Sequence, residues 1–254
     1  MSPIAANLQA VRRRISETLQ GDSRIVTLVA VSKSQGPEAV RAAHEAGCRD
    51  FGESYLQEAL PKLAALSDLP ITWHYIGHLQ TNKARDIAQR FDWVHGVDRT
   101  KAAAALAKAR PDPGPPLNVC VQVNISGEET KGGVAPGQAL VLVREVAAMP
   151  RLRFRGLMGM ASPTQDPAER RRQFALLHET AGRVREAGIE MDTLSMGMSD
   201  DYIEALREGA NMVRIGTAIF GDRPQFQRNK GSDPNVVNRQ GDNEAGAHEL
   251  GSDP

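Results

Sequence analysis

Two textures of apolar residues alternate along the chain. Short runs rich in Val, Ile and Leu lack a polar face, and between them apolar positions return every three or four residues. The first texture suits strands buried on both faces, as in parallel sheets; the second suits amphipathic helices. Ile4, Leu8, Val11, Ile15 and Leu19 open the chain at helical spacing, with arginines between them. Residues 26–33 form the first buried-type strand, which ends in Lys33. Further strands are predicted at 48–53, 71–77, 93–97, 117–125, 154–160, 191–196 and 212–220. Helices are predicted at 38–46, 55–66, 82–90, 101–109, 138–148, 168–186 and 200–208. Pro37 in the first turn and Gly47 just past the end give the helix at 38–46 the usual asymmetry. Ser199 or Asp200 is the expected cap of the last helix.

Eight such strands, separated by helices, predict an α/β fold: a single closed (β/α)8 TIM barrel occupying residues 1–224. An open doubly wound sheet is the alternative, but no Gly-rich dinucleotide fingerprint follows any strand. Residues 225–254 are rich in Asn, Asp, Gly and Gln, show no period, and are predicted to be a disordered tail.

Composition narrows the partners. Of 254 residues, 31 are basic and 31 acidic, so no global field favours nucleic acid or an anionic membrane. No apolar run approaches membrane-spanning length, and no signal-like apolar segment opens the chain. The two cysteines, Cys48 and Cys120, sit in apolar surroundings without metal-ligand spacing, which fits a reduced, cytoplasmic protein without a metal site.

In a barrel of this kind the active face lies at the C-terminal ends of the strands, and phosphate sites commonly use the loops after strands seven and eight. Strand seven runs into Ser195, Gly197, Ser199 and the start of a helix, a combination that suits an anion; a plain serine N-cap is the bland alternative. Strand eight carries Arg214, Gly216 and Thr217, and strand alternation predicts that Arg214 and Gly216 point together into the mouth. An inward arginine is costly unless it is paired or bound to a ligand. Strand one neighbours strand eight once the barrel closes, which brings Lys33 to the same mouth. Alone, that lysine reads as a snorkelling amine. Beside an arginine and an anion cradle, it suits a ligand with both an aldehyde and a phosphate, pyridoxal 5′-phosphate. Glu53, Ser54 and Tyr55 after strand two could present polar groups to a ring, and Asn124 at the end of strand five is a further candidate for the mouth. His74 and His78 flank strand three and His95 lies in strand four, where a lone histidine is more often a satisfied structural residue than a ligand.

Ala30-Val31-Ser32-Lys33, Phe51-Gly52-Glu53, the block from Trp73-His74-Tyr75-Ile76-Gly77 through Lys83, Leu194-Ser195-Met196-Gly197-Met198-Ser199-Asp200 and Met212-Val213-Arg214-Ile215-Gly216-Thr217 stand in an order that resembles the pyridoxal phosphate homeostasis protein family. The resemblance covers residues 4–224. It implies a barrel like the N-terminal domain of alanine racemase, the fold-type III arrangement, without that enzyme's second domain. It further implies a Schiff-base link at Lys33, phosphate contacts from Ser195, Gly216 and Thr217, and Arg214 facing the pyridine nitrogen. The family carries Asn where Ser54 stands, so a ring contact from this shorter side chain departs from the pattern.

The expected role is cofactor holding rather than turnover, with apo-enzymes or free amino acids as recipients and a monomer as the working form. Two-base racemisation, the enzymatic alternative, needs a second proton carrier opposite Lys33, and the tyrosines available are Tyr55, Tyr75 and Tyr202. The cofactor residues expected are therefore Lys33, Ser54, His74, Ser195, Ser199, Arg214, Gly216 and Thr217.

Overall fold

A computed structural model describes residues 2–128 and 131–221. The tail expected at 225–254 lies outside the described residues. Eight parallel strands close in chain order into one barrel. They are β1 (Thr27–Val31), β2 (Asp50–Glu53), β3 (Thr72–Tyr75), β4 (Trp93–Val97), β5 (Leu117–Gln122), β6 (Leu152–Met158), β7 (Thr193–Ser195) and β8 (Met212–Ile215). Closure pairs β1 with β8, setting Val29 opposite Arg214 and Ala30 opposite Ile215. The crossovers that parallel pairing demands are α2 (Pro37–Glu45), α3 (Leu56–Ala65), α4 (Ala84–Arg90), α5 (Thr100–Ala109), α6 (Ala139–Ala147), α7 (Pro167–Glu186) and α8 (Tyr202–Arg207). The chain begins with α1 (Pro3–Thr18), capped by Ser2, and α9 (Thr217–Phe220) follows β8.

Each strand divides its side chains between two environments, which explains the missing polar face. Ala30, Phe51, Val94, Val119 and Val213 join the apolar layer between sheet and helices. Val29, Trp93, Cys120, Met158 and Met212 form a second cluster that fills the interior. Phe51 is fully buried, and truncating such a residue to Ala typically costs about 3–5 kcal/mol. Among the described residues no helix is long and apolar enough to cross a membrane.

Several boundaries depart from the sequence expectation, and two matter for the site. β8 ends at Ile215 instead of continuing to Phe220. Gly216, at φ −111° and ψ −78°, leaves the strand, and Thr217–Phe220 coils into α9. Short apolar runs fit strand and helix equally by periodicity, and tertiary context decides. Gly216 therefore does not share a strand face with Arg214. Likewise α8 starts at Tyr202 with Asp201 as its N-cap residue, so neither Ser199 nor Asp200 has that task. β5 stops at Gln122, with Val123 paired only through an isolated bridge to Val134. Asn124 is consequently a loop residue whose Nδ2 donates to the Glu128 carbonyl.

Candidate functional site

Lys33 stands two residues beyond β1, in the turn that leads to α2. It is half-buried and shares one recess with Val31, Gln35, Gly216, Thr217 and Phe220. The backbone around it is held from beneath. Ser32 N–H donates to the Gly52 carbonyl at 3.0 Å, and its hydroxyl donates to Glu53 Oε1 at 2.6 Å. Ser34, in the left-handed region at φ 64°, donates its N–H to Glu58 Oε1. Lys62 Nζ lies 2.8 Å from the Ser32 carbonyl, 2.7 Å from Glu53 Oε1 and 3.4 Å from Glu58 Oε1. Glu53 therefore faces α3 and not a ligand ring, correcting the expectation from its place at a strand end. Burial pushes its carboxyl above the ordinary range, opposed by Lys62 and Ser32. This cluster escaped the sequence reading. Its signal was Lys62 sharing the buried stripe of α3 with Leu56 and Ala59.

The loops after β7 and β8, where the sequence predicts an anion cradle, meet at the start of α9. Ala218 N–H donates to Ser199 Oγ at 3.3 Å, which draws the loop after β7 against the loop after β8. Gly197, at φ +95°, makes this return possible. A Cβ there would sit 2.7 Å from Ala205 Cβ and 2.9 Å from Tyr202 Cα, so no other residue fits. Asp201 fixes the same loop by accepting Met198 N–H at 2.6 Å. A Cβ on Gly216 would approach the Val31 carbonyl at 3.2 Å, so the cradle abuts the Lys33 turn directly. Lys33, Ser199, Gly216 and Thr217 are thus neighbours at the rim. Ser54 lies one loop away, where the backbone of Gly77 packs on its carbonyl so closely that a Cβ would come within 2.0 Å.

The other expected residues lie inside the barrel. Arg214 is 4% exposed; its Nη1 donates to Ser195 Oγ at 2.6 Å and its Nη2 to the Gly159 carbonyl at 3.1 Å. Burial lowers its guanidinium to about 10, against support from Asp201. Ser195 is fully buried beneath the rim and also contacts His95 Nδ1 at 2.9 Å. His74 is fully buried, stacked on Trp93, with Nδ1 3.0 Å from His95 Nε2 and Nε2 3.0 Å from Asp50 Oδ1. Both of its ring nitrogens are therefore engaged by protein. Burial, then His74 and Arg214, holds His95 well below the ordinary histidine range.

Beside the rim a groove of about 750 Å³ runs between the loops after β5, β6 and β7, bordered by Lys131, Ser162, Arg170 and Met198. The set of groups at the mouth, an amine, two hydroxyls, glycine backbone and a guanidinium below, fits an anionic aldehyde in its donor chemistry.

Residues 2–224 match the family described as alanine racemase, N-terminal domain. A pyridoxal phosphate homeostasis protein of Pseudomonas aeruginosa is 52% identical over 226 residues, which cover 88% of this chain and 97% of that protein. The chain belongs to the pyridoxal phosphate homeostasis protein family. The structure of PipY from Synechococcus elongatus with pyridoxal phosphate bound is 35% identical, covers 86% of this chain and all of that one, and superposes with a TM-score of 0.76. Alanine racemase from Corynebacterium glutamicum, at 17% identity, 87% coverage of this chain, 61% of that one and a TM-score of 0.66, shares the fold.

Proposed function

We propose that this protein binds pyridoxal 5′-phosphate at the C-terminal mouth of its barrel and holds it reversibly, keeping a reactive aldehyde in store for amines and apo-enzymes. The observation that carries this reading is the meeting of Lys33 with Gly216, Thr217 and Ser199 at one rim above Arg214. When bound, the cofactor supplies an aldehyde that condenses with an amine and releases water. Lys33 offers that amine. The hydroxyls of Ser199 and Thr217, with the backbone at Gly216, receive the phosphate. Arg214 faces the ring nitrogen as a donor and so disfavours protonation there. Ser195 and His74 act from below, through Arg214, and Ser54 borders the ring from the loop after β2. All of these residues come from one chain, so the site does not require a second copy. Both cysteines are free and buried, in keeping with a cytoplasmic location.

The holding role is supported by the placement of two of the three tyrosines; the third, Tyr55, is 61% exposed, and the turnover measurement below decides its part. A second proton carrier for racemisation is not offered by Tyr75, whose hydroxyl donates to the His78 carbonyl and whose ring packs on Phe91 outside the barrel. Nor is it offered by Tyr202, buried under the Arg14 guanidinium. Lys33→Ala tests the amine: the visible absorbance of the captured aldehyde is expected to vanish while the melting temperature stays unchanged. Borohydride trapping that maps to Lys83 or Lys131 would assign the wrong amine. Chiral chromatography of single L-amino acids tests the holding role, and turnover above about 1 per second, an ordinary enzyme rate, would replace it with a racemase.

A further inference from the structure

A line of five polar side chains crosses the barrel interior, from Asp50 at the N-terminal end of β2 to Arg214 beneath the mouth. They come from five different strands, β2, β3, β4, β7 and β8, and successive contacts measure 3.0, 3.0, 2.9 and 2.6 Å. Three of the five, His74, His95 and Ser195, are fully buried and Arg214 is 4% exposed; Asp50 is the most open, with 29% of its side chain exposed. Such a row is costly to bury unless every member is satisfied.

The end groups dictate the direction of every bond. Arg214 can only donate, so Ser195 Oγ accepts from it; Asp50 can only accept, and with both rings neutral that end sends the serine proton to His95 Nδ1. His95 then carries its proton on Nε2 and gives it to His74 Nδ1. His74 likewise carries its proton on Nε2 and gives it to the Asp50 carboxylate. All four bonds run one way, from Arg214 to Asp50, with both rings neutral in the Nε2–H tautomer and nothing left over. A proton added to His95 Nδ1 would leave the serine proton without its acceptor. The charged and titratable groups nearest the row are Asp201 and Cys120 beside Arg214, and Arg155 on the far face of Trp93.

We propose that Asp50, His74, His95 and Ser195 are positioning residues that lock the Arg214 guanidinium in place beneath the bound cofactor, with Asp50 as the anchor at the opposite end of the barrel. The proposal rests on Arg214 facing the ring nitrogen, and its first test does not. Nitrogen-15 spectra of histidine-labelled, ligand-free protein are expected to show His74 and His95 as Nε2–H tautomers; an Nδ1–H form at either ring overturns the one-way row. Asp50→Ala removes only the exposed anchor. It is expected to mix the two tautomers and, in protein loaded with pyridoxal 5′-phosphate, to shift the absorbance maximum and weaken binding. Ser195→Ala, next to Arg214, is expected to weaken it by about tenfold, a usual size for losing the partner that orients a ligand-binding group. Tautomers, absorbance and affinity all unchanged in Asp50→Ala overturn the coupling. If Lys33 captures no aldehyde, the function proposed above fails while the tautomer spectra still decide the row.

Discussion

Lys62→Met removes the cation from a buried pair, and the cost follows from what is left behind. Lys62 is 4% exposed and Glu53 0%. Without the ammonium, Glu53 keeps one hydrogen bond, from Ser32, and its Oε2 has no partner among the described residues. A carboxylate cannot remain charged in that setting, so the folded variant holds Glu53 protonated. The unfolded chain releases that proton above the ordinary glutamate value of 4.5. Folding at pH 7 must then take up a proton across about 2.5 pH units, which at about 1.36 kcal/mol each comes to about 3.4 kcal/mol. The Ser32 carbonyl also loses a donor, worth about 1 kcal/mol at any pH. The side chains are close in volume, so packing adds little. Because the folded state binds the extra proton, the variant regains stability as pH falls. Its deficit against the parent is expected to shrink between pH 7 and pH 5, by at most about 2.7 kcal/mol because burial already raises Glu53 in the parent, read from urea denaturation at each pH. Adding Glu53→Gln is expected to abolish the pH-dependent part. A deficit equal at both pH values, or below about 1 kcal/mol at pH 7, would refute a buried pair held by Lys62.

His95 titrates in the opposite sense. Its folded value lies well below 6.5, so below that pH the unfolded chain binds a proton the native state refuses. Stability is therefore lost on acidification, at up to about 1.4 kcal/mol per pH unit. The melting curves of His95→Gln, compared with the parent from pH 7 to pH 5, are expected to lack this slope. Ser199→Ala deletes a hydroxyl at the rim and is expected to weaken binding of the phosphorylated cofactor by about tenfold, a single hydrogen bond's worth. Binding of the unphosphorylated aldehyde, pyridoxal, is expected to be unaffected, and equal losses for the two ligands would remove Ser199 from the phosphate cradle.

The barrel was legible because its strands are buried on both faces while its helices expose one, and this contrast survives in a single sequence. The nearness of Lys33 to Gly216 and Thr217 was legible because the loop after β8 and the end of β1 are near in any such barrel. The limits were physical. Thr217–Phe220 is apolar enough for strand or helix, and only the turn at Gly216 decides. Glu53 follows Phe51 by two residues, so it shares that residue's outward face, and Lys62 interrupts an otherwise apolar stripe. Those signals were present, but a polar residue at a strand end draws attention to the mouth first. The interior row was not legible at all. Asp50, His74, His95, Ser195 and Arg214 are spread over more than half the chain. Each lies on a different strand, and their alignment depends on the stagger of the closed sheet.

Two buried charged systems flank the Lys33 turn from opposite sides of the sheet. Glu53, Glu58 and Lys62 grip Ser32 and Ser34 from the helix side. Arg214 and its row occupy the interior. Buried ion pairs seldom improve net stability over an apolar packing of equal volume, so stability alone gives little reason to keep both. Their common effect is to fix the backbone on which the amine stands and the guanidinium that would lie under the ring. Above the rim the surroundings differ: Tyr55 is 61% exposed, Met198 is 38% exposed, and an open groove runs alongside. On the function proposed above, a site that takes an aldehyde and gives it up again needs this division. There, firm placement of the amine would set the affinity, and access from above would let a competing amine reach the bound carbon. A closed mouth would favour a committed enzyme; an open one over a fixed floor favours a reversible holder.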